Sequence, residues 1–258
     1  VSCPALSVVI PAFNEGRRLP GSLERVRRWL SGSGLAHEIV VVDDGSTDGT
    51  AEAARAAGGE RLVLLRHEPN RGKGYAVRRG MLAARGARRL MTDADLSTPI
   101  EELPRLMAEL DRGADVAIGS RAVPGARIEI HQPAYREAMG RVFNGLVQVL
   151  LLPGLHDTQC GFKLFTAGAA EAVFGRTRLD GFSFDVEALY AVRRRGLKIA
   201  EVPVVWRNDA ASRVSLGGGG AAFIDLLRIR LLALGGAYDP EPSPPAGEGG
   251  GGEPGPST

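Results

Sequence analysis

The sequence predicts an α/β protein built on a mostly parallel, doubly wound sheet. Two observations carry this expectation. Short runs that are apolar at nearly every position alternate with segments of helical spacing, the pattern of a parallel sheet covered on both faces. In addition, four of the first five runs end in polar or charged residues. Such a sheet gathers its ligands beyond the carboxyl ends of its strands.

The elements follow in order. Leu6–Ile10 is a β-branched strand, and Leu19–Leu30 has helical spacing. Glu38–Asp43 is a second strand, followed by an Ala-rich helix over Thr50–Ala57. Arg61–Leu65 is a third strand, Gly74–Arg85 a helix and Arg89–Asp93 a fourth strand. Pro99–Leu110 is helical and Val116–Gly119 is the fifth strand. The pattern then changes. Arg127–Gly154 carries an apolar face of Met139, Val142, Phe143, Leu146, Val149 and Leu150. A polar loop at His156–Phe162, helices near Ala167–Phe174 and Val186–Arg195, and a strand over Ile199–Trp206 complete this half. Residues 221–234 form an amphipathic helix bearing Arg228 and Arg230. From Gly236 onward the chain is rich in Pro, Gly and Glu, too poor in apolar groups to fold, and is expected to be a disordered acidic tail.

Composition narrows the function classes. The chain has 258 residues, 44% hydrophobic and 24% charged, which excludes a wholly disordered chain and a disulfide scaffold. Net charge is +2, but every one of the 32 basic residues precedes Gly236, and four of the 30 acids follow it. A mildly basic body suits a phosphorylated ligand or an anionic surface. Aromatic residues are only 5%, so base-stacking platforms, and with them a nucleic-acid partner, are not expected. Cys3 and Cys160 are far apart and form no metal-ligand pair, which suits free thiols in a reducing cytoplasm. No apolar run reaches the ~18–20 residues of a membrane span, and the opening residues do not read as a signal peptide. The expectation is a soluble protein, or one held peripherally at a cytoplasmic membrane face.

The strand ends hold the chemistry. They read Pro11-Ala12-Phe13-Asn14-Glu15, Asp43-Asp44-Gly45-Ser46-Thr47-Asp48, Asp93-Ala94-Asp95 and Gly119-Ser120-Arg121. Ser46 and Thr47 are candidates to cap the next helix. Carboxylates converging from three strands repel one another and need a cation or donors to share. Asp93 and Asp95 offer hard oxygen ligands of the kind Mg²⁺ or Mn²⁺ accepts, often together with phosphate. Neither a Walker A sequence nor GxGxxG follows the first strand, which weakens ATPase and nicotinamide readings. Asn70-Arg71-Gly72-Lys73-Gly74 has the form of a phosphate-cradling turn before a helix. Lys73 is one of only three lysines.

The motifs VVIPAFNE, IVVVDDGSTDGT, NRGKG, TDAD and GSR, in that order, resemble family 2 glycosyltransferases of the GT-A (nucleotide-diphospho-sugar transferase) fold. DTQCGFKLF at 157–165, FDVE at 184–187 and EVPVVW at 201–206 are similar to one branch, the dolichyl-phosphate β-glucosyltransferases and bacterial polyprenyl-phosphate relatives. The resemblance implies one domain over 1–235, with a nucleotide-sugar half to about 121 and an acceptor half from 122, then the tail at 236–258. It implies that Pro11, Ala12 and Glu15 line a nucleoside pocket and that Asp43 or Asp44 binds the base edge. Lys73 would lie near base or diphosphate, Asp93 and Ala94 near ribose, and Asp93 and Asp95 on the metal. A Gln that assists the metal in mannosyl relatives is replaced here by Ser97. Arg121 would meet acceptor phosphate, with Arg136 or Arg141 beside it.

The implied reaction displaces a nucleoside diphosphate from an anomeric carbon with inversion, favouring UDP-glucose as donor and a polyprenyl phosphate as acceptor. GDP-mannose, another donor, a hydroxyl acceptor, or a non-catalytic nucleotide-sugar binding module are the alternatives. The acceptor decides whether a base is needed. A hydroxyl needs a carboxylate near the attacking oxygen. A phosphate monoester, with a second pKa of ~6, is already an oxyanion and needs only cationic groups to hold it in line. Asp157 and Asp185 are each candidates for base, acceptor ligand or loop anchor. Gln159 and Lys163 are candidates for donor contacts. Cys160 reads as a packed thiol, Trp206 as core or sugar-facing wall, and His131 and His156 as ordinary polar residues. The 139–155 segment has two readings, a core helix or part of a lipid groove. The 221–234 helix has three: a membrane-interface element, a cap on the core, or a dimer contact.

Overall fold

The computed structural model describes residues 3–208 and 219–240. Its centre is a seven-stranded sheet in the order β3-β2-β1-β4-β7-β5-β8. These strands are β1 (Leu6–Ala12), β2 (His37–Asp43), β3 (Leu62–Arg66), β4 (Arg88–Thr92), β5 (Val116–Ser120), β7 (Phe162–Thr166) and β8 (Ile199–Pro203). All pairings are parallel except those of β7, which runs antiparallel between β4 and β5. All seven residues of β1 are buried, as expected of a strand covered on both faces.

Alternate side chains of each strand feed two cores. Val8, Ile10, Val41 and Leu90 pack on one face against α1 (Leu19–Ser33) and α4 (Leu103–Asp111). Val9, Val40, Val42 and Met91 pack on the other against α3 (Lys73–Ala83), α6 (Ala167–Phe174) and α7 (Phe184–Arg194). This is the two-residue alternation of a strand turned into two layers. The short helix α2 (Thr50–Gly58) adds Ala54 to the first face. α5 (Ala134–Leu150) and α8 (Gly219–Leu234) meet each other on the second, with Phe143 and Phe223 edge to face at 5.9 Å.

Five features differ from the sequence expectation. β7 falls where a polar loop running into a helix was expected. The apolar segment from Arg127 opens instead with β6 (Arg127–Ile130), which pairs in parallel with β9 (Val205–Arg207) as a separate two-stranded sheet. The expected strand 199–206 therefore serves two sheets. It changes partner at Pro203 and Val204, where a proline ends the ladder it cannot donate to. On α5, Phe143 and Val147 are buried, whereas Met139, Val142, Leu146, Val149 and Leu150 face outward, so the core-helix reading holds for one narrow stripe only. Finally, residues 236–240, assigned by composition to the tail, are packed. Tyr238 is 0% exposed, its hydroxyl donates to Glu187 Oε1 at 2.7 Å, and Asp239 pairs with Arg194. The remaining expected tail, 241–258, lies outside the described residues. No helix among the described residues is long and apolar enough to cross a membrane.

Candidate active site

The carboxyl ends of β1, β2, β4 and β5 reach one edge of the sheet. Antiparallel β7 delivers its amino-terminal end there too, with Thr92 opposite Phe162 and Asp93 N–H donating to Gly161 C=O at 3.2 Å. The loop 157–161 is thereby brought against the Asp93–Asp95 turn.

The first two strand ends lace together. Asn14, at φ 54°, donates its N–H to Ser46 Oγ at 2.8 Å, and its side-chain oxygen accepts from Thr47 N–H. Glu15 N–H donates to Thr50 Oγ1 at 2.8 Å. Ser46 and Thr47 are thus spent on the β1 loop, and Asp48 rather than either of them accepts from the first turn of α2, at Thr50 N–H. Pro11 and Ala12 are buried beneath this loop. Both oxygens of Glu15 are held by Arg18.

Asp43 and Asp44 divide their work. Asp44 accepts from His67 at 2.6 Å, Asn70 Nδ2 at 2.9 Å, and Arg71 N–H and Gly72 N–H, both at 2.8 Å. Both its oxygens accept hydrogen bonds that shape the turn presenting Lys73. Gly72 completes the turn at φ 106°, with a Cβ there falling 2.4 Å from Asp180 C=O. Asp43 is fully buried and Oδ1 accepts from Ser46 N–H at 3.0 Å. Its Oδ2 has no hydrogen-bond donor, although Arg66 Nε lies 3.3 Å away.

Lys73 opens α3 and reaches across to Asp93 Oδ1 at 2.7 Å. Burial works against its charge, yet Asp93, Asp185 and Asp95 outweigh it and push the ammonium up to about 12. Asp95 is held above the ordinary carboxylate range by burial and by Asp93, against the pull of Ser97 N–H and Arg18. Ser97 thus contributes its backbone to Asp95 at 2.9 Å. Half-buried Asp93 rests on Gly161, where a Cβ would sit 2.0 Å from Oδ2. Ala94 is buried below, its C=O accepting from Ser22.

The remaining expected residues separate. Arg121 closes a bidentate fork on Asp157, Nε to Oδ2 at 2.7 Å and Nη2 to Oδ1 at 2.8 Å, and adds its N–H to Oδ2 at 2.9 Å. Against the cost of burial, each partner stabilises the other's charge: Asp157 is held below the usual range and Arg121 above. Trp206 lies 5.2 Å from the guanidinium. Lys163 is 1% exposed and gives its ammonium to Asp185 and to Cys160 C=O. It is a buried counterion, not a donor contact, because it stands within β7 and points into the layer. Asp185, with burial raising its pKa against the pull of Lys163 and Lys73, is the partner of that pair rather than an open base. Gln159 is exposed at the rim. Cys160 is a packed thiol pushed up to about 11 by burial and Asp157. Arg136 is half-buried on the first turn of α5.

Four contributors received no role of their own in the sequence reading: Arg18, and Gly161, Glu187 and Glu201, which stand within the motifs quoted there. Glu201 on β8 accepts from Ser120 Oγ at 2.7 Å and from the N–H groups of His156 and Asp157, which fixes the loop carrying Asp157. A glutamate inside an apolar strand was the available signal for it.

The donor set also bears on a metal. No group of three or more His, Cys, Asp or Glu suited to a cation occurs among the described residues. Asp93 and Asp95 are two carboxylates side by side, and burial together with the charge of Asp93 raises the proton affinity of Asp95. A small hard cation commonly takes one or two carboxylates and completes its shell with phosphate and water, and this pair fits that use.

Residues 7–174 match the family described as Glycosyl transferase family 2. The chain is 35% identical to a dolichyl-phosphate beta-glucosyltransferase of Trichomonas vaginalis over 239 residues, covering 88% of this chain and 73% of that protein. It is 34% identical to the dolichyl-phosphate beta-glucosyltransferase of Homo sapiens, covering 90% and 77%. The fold resembles mannosyl-3-phosphoglycerate synthase from Rubrobacter xylanophilus (TM-score 0.70, 20% identity, 95% of this chain and 79% of that one). It also resembles glucosyl-3-phosphoglycerate synthase from Mycobacterium tuberculosis, crystallised with Mn²⁺, UDP-glucose and phosphoglyceric acid (TM-score 0.67, 22% identity, 92% and 81%). Those likenesses bear out the expected α/β fold of GT-A type, and the matched span and the identity to the two transferases place this chain in glycosyl transferase family 2.

Proposed function

We propose that the chain is an inverting hexosyltransferase that moves glucose from UDP-glucose onto a polyprenyl or dolichyl phosphate at a membrane surface on the cytoplasmic side. Its likeness to dolichyl-phosphate β-glucosyltransferases along most of the chain supports the substrate classes. One observation in the site carries the choice of acceptor. Both carboxylates considered as a base are locked to buried cations, Asp157 to Arg121 and Asp185 to Lys163. A hydroxyl acceptor would need a free base; a phosphate acceptor arrives as an oxyanion and does not.

The roles follow from what each residue has left to give. Asp43 keeps a buried oxygen, ion-paired with Arg66 but without a hydrogen-bond donor, for a base N–H. Pro11, Ala12 and the Arg18-bound Glu15 wall the nucleoside side. Asp93 and Asp95 would hold Mg²⁺ or Mn²⁺, which supplies charge neutralisation for the departing diphosphate. Lys73 holds Asp93 in place and offers a full positive charge to the diphosphate. Arg121, fixed on one edge by Asp157, turns its remaining edge to the acceptor phosphate, a geometry suited to in-line attack.

The test is a transfer assay with UDP-glucose or GDP-mannose against a short polyprenyl phosphate and a panel of soluble hydroxyl acceptors. Glucose on the lipid phosphate, lost in Asp95→Asn, is the expected result. Transfer to a hydroxyl acceptor alone would overturn the base-free mechanism. Nucleotide binding with neither transfer nor donor hydrolysis would mark a binding module.

A further inference from the structure

Glu201 is a charged residue inside the β8 ladder, with its side chain only 10% exposed. A carboxylate taken out of water is costly unless donors surround it. The donors around this one come from two segments of chain. Oε1 accepts from the Ser120 hydroxyl at 2.7 Å and from Asp157 N–H at 2.8 Å. Oε2 accepts from His156 N–H at 3.0 Å, and the His156 ring nitrogen Nδ1 lies 3.1 Å from it.

Those segments carry the two halves of the fork described above. Ser120 precedes Arg121 at the end of β5, and Asp157 is the carboxylate that Arg121 grips. The register explains how one side chain reaches both. β5 and β8 are parallel neighbours, with Ile118 opposite Glu201. Ser120 stands two residues beyond Ile118 and so emerges on the same side of the sheet as Glu201. Its oxygen also accepts from Ala122 N–H at 3.3 Å, so the hydroxyl grips the chain on the far side of Arg121 as well.

The contacts form a chain of two carboxylates. Glu201 fixes the backbone at His156 and Asp157. Asp157 then fixes Arg121 through its N–H, Nε and Nη2, and accepts at Oδ1 from Gln159 N–H and Cys160 N–H. Farther along the run that carries Glu201, Trp206 lies 5.2 Å from the same guanidinium, so this run meets the fork at both its ends. An apolar side chain at 201 would fill the layer but leave Ser120, His156 and Asp157 without their acceptor.

We propose that Glu201 is a positioning residue of the acceptor subsite, setting where Arg121 presents its remaining edge to a phosphate monoester without itself touching substrate. This rests on the reading of Arg121 as the acceptor-phosphate contact. In-line transfer is sensitive to placement, and a displacement of ~1 Å can cost ~100-fold in rate. The Lys73 turn is held separately, by Asp44 at Arg71 N–H and Gly72 N–H and by Asp180 C=O at Gly74 N–H. Loss of Glu201 should therefore fall on the acceptor and spare the donor.

The test compares wild type, Glu201→Ala, Glu201→Gln and Ser120→Ala in two measurements. The first is steady-state transfer from UDP-glucose to a short polyprenyl phosphate, with each substrate varied in turn. Glu201→Ala should lower kcat/KM for the polyprenyl phosphate about 100-fold and leave KM for UDP-glucose within about twofold of wild type. Glu201→Gln keeps an oxygen for the Ser120 hydroxyl and Asp157 N–H and should recover to within about tenfold; Ser120→Ala removes one donor and should lose about tenfold. The second is hydrogen exchange read by mass spectrometry with no substrate present. Glu201→Ala should speed exchange over 119–122 and 155–161 and leave 70–80 as in the wild type. Exchange that quickens equally in all three stretches, or equal losses toward both substrates, would reduce Glu201 to a structural carboxylate and overturn the proposal. So would a Glu201→Gln protein no better than Glu201→Ala, or lipid-phosphate transfer by Glu201→Ala within about threefold of wild type. Should Glu201→Ala not fold, Ser120→Ala decides: a loss confined to the lipid phosphate supports the proposal, and undiminished transfer overturns it. The two readings fail differently. A wild type that glucosylates only hydroxyl acceptors would remove the phosphate from this subsite, whereas unchanged exchange in Glu201→Ala would remove Glu201 from the support of Arg121.

Discussion

Tyr238→Phe deletes one hydroxyl from the packed segment that follows α8 and tests how that segment supports the active site. Tyr238 and Glu187 are both 0% exposed. Glu187 Oε1 accepts from Tyr238 and from Arg178 N–H at 2.8 Å, and Oε2 from Leu179 N–H at 2.8 Å. Burial and the Glu187 carboxyl raise the phenol's pKa, so it remains a donor at any working pH. A hydrogen bond to a charged acceptor contributes about 1.5–3 kcal/mol, and Phe keeps the ring volume, so the expected loss is about 2 kcal/mol. For a chain of this length that is a fall in Tm of roughly 4–8 °C. The effect should reach the donor site, because the 178–181 stretch held by Glu187 also receives Gly74 N–H at Asp180 C=O, 2.8 Å away. KM for UDP-glucose should rise more than kcat falls. Calorimetry and initial rates on wild type, Tyr238→Phe and a truncation after Pro240 check this together. The truncation should melt with the wild type. A Tyr238→Phe protein that melts within 1 °C of wild type (roughly 0.3–0.5 kcal/mol) would refute the reasoning.

Three further outcomes are expected. Lys73→Met removes the cation facing Asp93 and, in the proposed role, the charge offered to the diphosphate; a lost hydrogen bond between charged groups is worth about 1.5–3 kcal/mol, so kcat/KM for UDP-glucose should drop about 10-fold to 100-fold. Rates within twofold of wild type would contradict that role. Gly161→Ala places a methyl on Asp93 Oδ2 and should abolish transfer while far-ultraviolet circular dichroism stays native; retained turnover would show that Asp93 can move without penalty. Asp95 has a folded pKa above its unfolded value, so the folded state binds more protons just above pH 3.8, and stability falls as pH rises through that window. Metal-free Asp95→Asn should therefore melt higher than wild type at pH 7, with the gap closing toward pH 4; melting curves across pH with a chelator test it, and a lower Tm for the variant at pH 7 would refute it.

The first 120 residues were legible because their strands are apolar on both faces and their polar groups stand at strand ends, where sequence order alone places them. Asp93, Asp95 and Arg121 were named from strand ends and Lys73 from the turn before a helix, and the structure puts Lys73 beside Asp93. What the sequence concealed was direction and partner. Asp43 and Asp44 are adjacent, and only the fold shows that one is consumed by the Lys73 turn. Lys163 looked like a phosphate contact, but β7 turns it inward onto Asp185. β7 itself escaped because a five-residue run carrying a lysine, next to a polar loop, gives little period to read. β6 escaped because RIEI is a mostly exposed strand in a two-stranded sheet, with no buried face to write an apolar pattern.

The place of β7 has a consequence for how the chain is made. β4 and β5 are not neighbours; each is paired to β7, which is synthesised after both. At about 5–20 residues per second, the 46 residues from Ser120 to Thr166 take roughly 2–9 s to emerge. Until then the β3-β2-β1-β4 block ends in an open strand edge, and β5 has no partner in it. The Asp93 turn also lacks Gly161 beneath it during that interval. Ribosome-bound chains halted before residue 160 should therefore be protease-sensitive and prone to strand pairing with one another, and should acquire nucleotide affinity only once β7 has closed the sheet.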